Sequence, residues 1–420
     1  MATWGRIFGM CWLLATGALA LAQSTAPLSL RDCVALALVR QVDIRLGQND
    51  AAVARDRAAQ ARSSYYPQIS ASTTKNWTPA GQPGTNTGVS TAVTVAQNLY
   101  DGGLREAQVA TARYSLQQTE AVLSRTQQTV VFSVTKAYLS LLRAQALAGV
   151  SAQQTTVTEE QLRQVQARID AGKAAGVDAL PIKAQLASAR VDTLAAQNSV
   201  ATSAIQLQQA MGLTPVAGFA VQEVTVPHTS LLPAYDEGLR VALQQRPELR
   251  EQRAGIGTAK TGITLAKINL LPHPVVAAQY TQPITGGAAH TYSVSAGVSW
   301  NLFDGANARS AYHEAQTNLA SAQTRAAQMI CDITAEVQSA YLTLSSAQER
   351  MTASGLNVDA AQQNLDAQQG RYTLGLAVPL DLLNAQLALT TAQSNAVQAQ
   401  YDYLTALAQL QYALGEGTGK

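Results

Sequence analysis

The sequence predicts a mainly α-helical protein with a β-barrel part, built from one unit that occurs twice in the chain. Three observations support this prediction. The hexapeptide NLYDGG at 98–103 returns as NLFDGA at 301–306. A strand-like alternation of apolar and polar residues precedes each copy, and a long heptad pattern follows each copy. Repetition of the same elements in the same order indicates a tandem duplication.

The duplication extends well beyond the hexapeptide. VTKAYLSLLRAQ at 134–145 matches VQSAYLTLSSAQ at 337–348, and QLQQAMG at 206–212 matches QLQYALG at 409–415. Both pairs show the offset of 203 residues that separates the two hexapeptides. The two halves can therefore be compared position by position.

We divide the chain accordingly. Residues 1–22 are expected to be a secretory signal peptide, because Arg6 precedes a short apolar run that ends at a small-x-small cleavage site. A retained membrane anchor is the alternative, but the apolar run is short for one. The first repeat is placed at 23–214, an inter-repeat equatorial connection at 215–246 and the second repeat at 247–420. Each repeat is expected to contain a helix, a β-hairpin, a long helix and a shorter helix.

Composition and motifs argue against several classes of function. The net charge of +2 gives no electrostatic attraction for nucleic acid, so we expect no nucleic-acid partner. AGIGTAKTG at 254–262 lies in a helical pattern and lacks the GK[ST] ending, so its similarity to a phosphate loop is attributed to chance. The histidines show no metal-binding spacing, and no nucleophile–base set is evident. We therefore expect no metal, no cofactor and no enzyme activity. Cys33 and Cys331 are interpreted as buried free thiols rather than a bridge.

Each repeat contains two strand-like runs, the clearest being TYSVSAGVSWNLF at 291–303. Runs of about 10 to 12 residues are long enough to cross an outer membrane. Four strands cannot close a barrel, and an open sheet edge cannot face lipid because its backbone groups would lack partners. Three chains would supply twelve strands, so we predict a homotrimer with a 12-strand outer-membrane β-barrel. Trp77, Tyr292 and Trp300 are expected at the lipid interfaces, although for Trp77 packing near a loop is equally compatible.

The repeated hexapeptides are predicted to be the junctions between barrel and helices. The aspartate of each is expected to accept hydrogen bonds from the first free amides of the following helix, and the glycine permits a sharp turn. The junction residues are Asn98, Asp101, Gly102, Asn301, Asp304 and Gly305.

Two long helices are predicted, from Leu104 to about Ala171 and from Asn307 to about Leu374. Each would be roughly 100 Å long at 1.5 Å per residue. Their apolar residues recur every seven positions, which favours left-handed supercoiling against neighbouring helices. A break and a second helix of about 34 residues follow each of them.

These parts resemble the TolC-like outer-membrane efflux and secretion channel family over nearly the whole chain after the signal segment. The resemblance is carried by the duplicated unit, by both hexapeptides, by AYLSLLRAQ and AYLTLSSAQ, and by the turn RYTLGLAVPLDLLNAQ. It implies a homotrimer whose barrel is continued by a 12-helix coiled-coil periplasmic tunnel, closed at its far end. It also implies a passive exit duct of a tripartite efflux or type I secretion system. A periplasmic adaptor and an inner-membrane transporter would be its partners.

The two helix-to-helix turns are the candidate gate. Both contain an arginine, a glycine four residues later and an aspartate ten residues after the arginine, namely Arg168, Gly172 and Asp178, and Arg371, Gly375 and Asp381. Each aspartate begins a helix, so capping is one interpretation. The other is that threefold symmetry makes a ring of three carboxylates, which favours cations. The two interpretations are compatible, because the same aspartate can cap a helix and belong to a ring.

The resemblance assigns roles to individual residues of these turns. Asp178, Tyr372 and Asp381 match gate positions of the family. Asn384 stands where the family has a second carboxylate, and Ala377 where it has a basic residue. Lys173 and Arg371 are candidates to replace that cation. The residues that resemble the adaptor-docking tip motif are Arg168, Gly172, Arg371, Gly375 and Leu376.

A periplasmic or surface coiled-coil structural protein is the alternative from another class. It predicts one uninterrupted heptad block and leaves the lipid-compatible strands unexplained. The sequence does not identify the transported substrate, because the tunnel lining depends on a helix register that one sequence does not fix.

Overall fold

The structure is a computed structural model. It describes residues 27–76, 88–173, 175–216, 218–223, 234–285, 289–374 and 376–416. The predicted signal peptide at 1–22, Trp77 and Gly375 lie outside these residues.

The first repeat starts with two helices, whereas the sequence predicted a single helix before the β-hairpin. They meet at Gln41, whose extended backbone (ψ 130°) interrupts the helical path. The Gln41 Oε1 atom accepts a hydrogen bond from Val42 N at 2.8 Å. The elements of this repeat are α1 (Leu30–Arg40), α2 (Val42–Ser63), β1 (Gln68–Asn76), β2 (Gly88–Tyr100), α3 (Leu104–Asp170) and α4 (Ala179–Ala210).

The second half follows the same order. Its elements are α5 (Tyr235–Gln245), α6 (Pro247–Leu270), β3 (His273–Pro283), β4 (Thr291–Ser299), α7 (Asn307–Thr373) and α8 (Pro379–Leu414). Helix α5 lies within the stretch 215–246 and precedes α6 as α1 precedes α2. The break between them is at Arg246, which corresponds to Gln41 of the first half.

The two long helices confirm the heptad prediction. Helices α3 and α7 have 67 residues each, against about 68 predicted. Heptad residues such as Val109, Val130, Ile333 and Ala340 are buried. No helix in the described part of the chain is long and apolar enough to cross a membrane.

The main hydrophobic core joins the two repeats around the middle of the long helices. Tyr138, from the first AYL motif, is fully buried there and donates its hydroxyl to the carbonyls of Leu28 (3.1 Å) and Gln222 (2.5 Å). Cys33 is buried beside it, and this burial raises the pKa of the thiol to about 11. Cys33 and Cys331 are both free, but Cys331 is exposed on α7, so the prediction that it is buried was wrong.

The four strands in the described part of the chain form one antiparallel sheet, in the order β1-β2-β3-β4. The central pair, β2 with β3, joins the two repeats. The strand predicted over 291–303 is shorter in the structure and ends at Ser299. The reason is that His273 is the first residue of β3 and pairs with Ser299, so the residues beyond have no partner in the ladder.

The glycines at 255 and 257 lie inside α6, as the sequence predicted, but one of them has a packing role. A Cβ atom added to Gly257 would lie 2.5 Å from the Tyr114 ring of α3, whereas nothing lies within 4 Å of a Cβ added to Gly255. The absence of a side chain at Gly257 thus allows α3 and α6 to approach closely.

This difference predicts opposite effects for two similar substitutions. Gly257→Ala should destabilise the fold by about 1 to 3 kcal/mol through overpacking. Gly255→Ala should stabilise it by up to about 1 kcal/mol because alanine is the better helix former. Thermal denaturation of both variants measures the two effects. Equal shifts in the same direction would contradict this packing role of Gly257.

Candidate functional site

The sheet has two chemically different faces. The strand register places on one face mainly apolar residues, among them Ile69, Val93, Val95, Tyr280, Tyr292, Val294 and Val298. It places on the other face mainly polar residues, among them Ser70, Ser72, Thr94, Gln279, Ser293 and Ser295. Tyr292 is 82% exposed, and Val294 and Val298 are 70% exposed. One face therefore suits lipid and the other suits water, while β1 and β4 each leave one edge unpaired among the residues that the structure describes.

The expected interface aromatics can be placed in part. Tyr292 lies on the apolar face of β4. Trp300 follows the last residue of that strand and is 54% exposed. Their role at a lipid interface stays a prediction.

Each junction aspartate accepts a hydrogen bond from an amide in the first turn of the following long helix, although the N-cap residues are Gly103 and Ala306. Asp101 Oδ2 accepts a hydrogen bond from Arg105 N at 3.1 Å, and Asp304 Oδ2 accepts one from Ala308 N at 2.9 Å. Gly102 has φ +70°, and a Cβ at this position would lie 2.7 Å from the His273 Cβ atom. Gly305 has φ +67°. Both turns therefore need the left-handed backbone that glycine adopts readily.

Arg105, which the sequence did not single out, makes several contacts at the first junction. Arg105 is only 7% exposed, and its guanidinium donates to the backbone oxygens of Asn98 at 2.7 Å and Leu99 at 3.3 Å. It also lies 4.4 Å from the centre of the Tyr65 ring. Asn98 thus contributes its backbone oxygen. The second repeat has Ala308 at the position of Arg105, and Asn301 is exposed beyond the end of β4. The two junctions differ, although their hexapeptides are nearly identical.

The two tip turns share a backbone pattern at the ends of α3 and α7. Lys173 N donates to Arg168 O at 2.8 Å, and Leu376 N donates to Arg371 O at 2.8 Å. Gly172, with φ +72°, provides the left-handed residue that this helix ending requires.

Both gate aspartates form hydrogen bonds with nearby backbone. Asp178 Oδ2 accepts from Ala175 N at 3.1 Å, and Asp381 Oδ2 accepts from Val378 N at 3.4 Å. Each bond joins the aspartate to the amide three residues before it, where the chain enters α4 or α8. Asp178 is the N-cap residue of α4 but its side chain bonds to no amide of that helix, so the capping interpretation stays a prediction. Asp381 and Asn384 are both exposed, one helical turn apart on α8. Their exposure is compatible with the ring interpretation.

The contact between the two tip turns was not predicted. The Arg168 guanidinium lies 4.4 Å from the centre of the Tyr372 ring. This contact joins the α3–α4 hairpin to the α7–α8 hairpin. The resemblance assigns Arg168 to adaptor docking and leaves Lys173 and Arg371 as candidates for the cation of the gate. Beside this contact, a groove between the hairpins is lined by Gln161, Gln164, Val165, Ile182, Tyr372, Pro379 and Leu382.

These features together define a class of protein. A sheet with one lipid-compatible face and two free edges, continued by paired helices about 100 Å long, is the subunit of a membrane channel with a long helical extension. The sequence model of the family "Outer membrane efflux protein" matches residues 33–213 and 238–416, and therefore most of both repeats. The chain belongs to the outer membrane efflux protein family.

Named relatives agree with this membership. The chain is 26% identical to the alkaline protease secretion protein AprF of Pseudomonas aeruginosa, over 97% of this chain and 88% of that protein. It is 25% identical to the outer membrane protein TolC of Vibrio cholerae, over 88% of this chain and 86% of that protein. The solved structure of the outer-membrane channel OprN has a TM-score of 0.82 at 20% identity, covering 92% of this chain and 90% of that chain.

The predicted resemblance to TolC-like proteins and the predicted fold class are thereby confirmed. The family also places the protein in the outer membrane, with its helices extending into the periplasm.

Proposed function

We propose that three copies of the chain form a passive exit duct across the outer membrane. The observation that carries this proposal is the four-strand sheet with one apolar face and two unpaired edges. If β4 of one copy pairs with β1 of the next, three sheets close into twelve strands and no edge faces lipid. The helices of the three copies would continue this barrel as a tunnel through the periplasm.

The direction of transport follows from the class. The members of the family are described as outer membrane efflux proteins. The name of the relative AprF assigns that protein to the secretion of an alkaline protease. A substrate would come from an inner-membrane transporter through a periplasmic adaptor, and the transporter would supply the energy. We infer that the adaptor meets the tip turns, at Arg168, Gly172, Arg371, Gly375 and Leu376. A coiled-coil spacer remains a weaker alternative because it does not need a lipid-compatible sheet face.

We place the gate at the same tips. Asp381 and Asn384 are exposed on α8, and threefold symmetry would turn Asp381 into a ring of three carboxylates. Asp178 and Tyr372 would hold the neighbouring hairpin turn in place. Because Asn384 is uncharged, the ring would have one level of negative charge rather than two.

The charge of this ring can be tested by Asp381→Asn, which keeps an oxygen able to accept the Val378 hydrogen bond. Three carboxylates around a narrow pore should favour cations by roughly tenfold at low ionic strength. We expect Asp381→Asn to bring the ratio of potassium to chloride permeability close to one. Reversal potentials of trimers in a planar bilayer under a salt gradient measure this ratio.

Two variants serve as controls. Asn384→Asp should strengthen the cation preference, because it adds a second ring one helical turn away. Asp178→Asn removes the charge from the matching capping position of the other turn and should have the smaller effect. A cation preference that Asp381→Asn leaves unchanged would mean that Asp381 is a helix cap only.

A further inference from the structure

The helical hairpins share one core near their middle but have separate cores toward the tip. In the α3–α4 hairpin the lower core consists of Val165, Ala179 and Ile182. In the α7–α8 hairpin it consists of Leu365, Ala385 and Leu389. The main core above contains residues of both repeats. The protein is therefore one packed body in the middle and two separately packed hairpins at the tip.

On α3 and α4 a group of polar side chains lies between the shared core and the lower core, and it continues to α8 at the level of Ala385 and Leu389 of the other lower core. It crosses three helices and contains only hydroxyl and amide groups. Its members are Gln154, Thr155 and Thr158 of α3, Thr193 of α4, and Gln386 and Thr390 of α8. We call this group the polar belt. On α3 it follows Ala146, which packs against the shared core, and precedes Leu162, which packs against the lower core.

Gln154 is the centre of the polar belt. Its Oε1 atom accepts from the hydroxyl of Thr390 and, at 3.5 Å, from Gln386 Nε2. Its Nε2 atom donates to Thr158 Oγ1 at 3.2 Å. Gln154, Thr158 and Gln386 are 6%, 0% and 8% exposed. The side chain thus ties α3 to α8, and hence one hairpin to the other, away from water.

The polar belt also ties α3 to α4. Thr155 Oγ1 and Thr193 Oγ1 lie 2.9 Å apart, and Thr193 Oγ1 also donates to Ser151 O at 3.1 Å. At this level hydrogen bonds therefore connect α4, α3 and α8 in a row.

The bonds of the polar belt differ in strength from the contact at the tip. Separating the hairpins at the belt would leave buried amide groups without partners, which is costly. Separating Arg168 from Tyr372 at the tip loses one partly solvated cation–ring contact, which costs less. Arg168 lies fourteen residues beyond Gln154 on α3, or about 21 Å along the helix.

We infer that the polar belt is the fulcrum of the gate, an inference that rests on the proposed duct function. The α7–α8 hairpin moves on the α3–α4 hairpin only below Gln154. The Arg168–Tyr372 contact breaks on opening, and the hydrogen bonds of the polar belt persist.

Cysteine locks at two levels test this inference in trimers that carry Arg168→Ala, to favour opening, and Cys331→Ser. The belt lock pairs Gln154→Cys with Thr390→Cys. The groove lock pairs Gln164→Cys with Leu382→Cys and is closed with a short bifunctional thiol reagent that reductant cleaves. Conductance in a planar bilayer is measured before and after reduction. Each single-cysteine variant is the control for the lost side chain, and denaturing gels without reductant confirm that each lock lies within one chain.

The belt lock is expected to leave the conductance of the Arg168→Ala trimer unchanged. The groove lock is expected to abolish the increase in conductance that Arg168→Ala causes, and reductant should restore this increase. A belt lock that suppresses the increase in conductance caused by Arg168→Ala overturns the inference. An Arg168→Ala trimer that gains no current also overturns it, because the tip contact would not be the part that gives way. If no trimer conducts, locked or unlocked, the duct proposal itself fails.

Discussion

Trimers carrying Arg168→Ala are expected to spend far more time open than the unchanged protein. The substitution removes the contact of Arg168 with the Tyr372 ring, 4.4 Å away, which joins the two tip hairpins. One such contact at an exposed site contributes about 0.5 to 1 kcal/mol. Three copies in one trimer give about 1.5 to 3 kcal/mol, which shifts the ratio of open to closed channels by roughly 10- to 150-fold. Mean current and open time in a planar bilayer measure this shift.

Two matched variants separate this contact from a general loss of charge. Arg163→Ala removes another exposed arginine of α3, whose ion pair is with Glu160 of the same helix, and should leave gating unchanged. Tyr372→Phe keeps the aromatic ring. Trimers with this substitution should also remain closed, because Arg168 contacts the face of the ring. An open time that rises equally in Arg163→Ala and Arg168→Ala would show that net charge, rather than the tip contact, keeps the gate shut.

Arg246→Ala is expected to have the largest effect on stability. Arg246 is 1% exposed and contacts Glu336 at 2.5 Å and Glu248 at 2.9 Å. Burial opposes its charge, but its bonds to the two glutamates outweigh burial and hold its pKa above the ordinary value. Glu248 in turn contacts Arg125 at 2.9 Å, so three helices meet in this network. Removing one partner of a buried pair costs about 3 to 5 kcal/mol.

The first repeat supplies the control for this prediction. Gln41 occupies the place of Arg246, and within the described part of the chain its side chain hydrogen-bonds only to the backbone amide of Val42. Gln41→Ala should therefore cost no more than about 1 kcal/mol, the value of a helix cap. Loss of folded trimer with temperature, followed by circular dichroism, compares the two variants. Similar losses for both would contradict the role given to the buried ion network.

The sequence predicted the parts of the structure that depend on local or periodic signals. The heptads located α3 and α7 to within about a residue at each end. The alternation over 291–303 identified the apolar face of β4, and the hexapeptides identified Asp101 and Asp304 as acceptors for amides in the first turns of α3 and α7. In each of these the residue type or its spacing carries the information by itself.

The features that the sequence did not predict depend on partners far away in the chain. The end of β4 is set by the start of β3, since Ser299 is the last residue with a partner. Arg105, Arg246 and the Arg168–Tyr372 pair each acquire their role from a neighbour that only the folded chain brings close. No local signal distinguished Arg105 or Arg246 from the solvated arginines that are usual in proteins, and the turn motif that singled out Arg168 did not identify its partner.

The most direct test of the account is electron microscopy of the protein extracted from outer membranes with detergent. We expect a threefold particle with a short barrel of twelve strands, in which β4 of each chain pairs with β1 of the next, and a helical tube about 100 Å long or longer. A monomer released without detergent, or a particle in which β1 and β4 stay unpaired, would contradict the proposal that three chains form one duct.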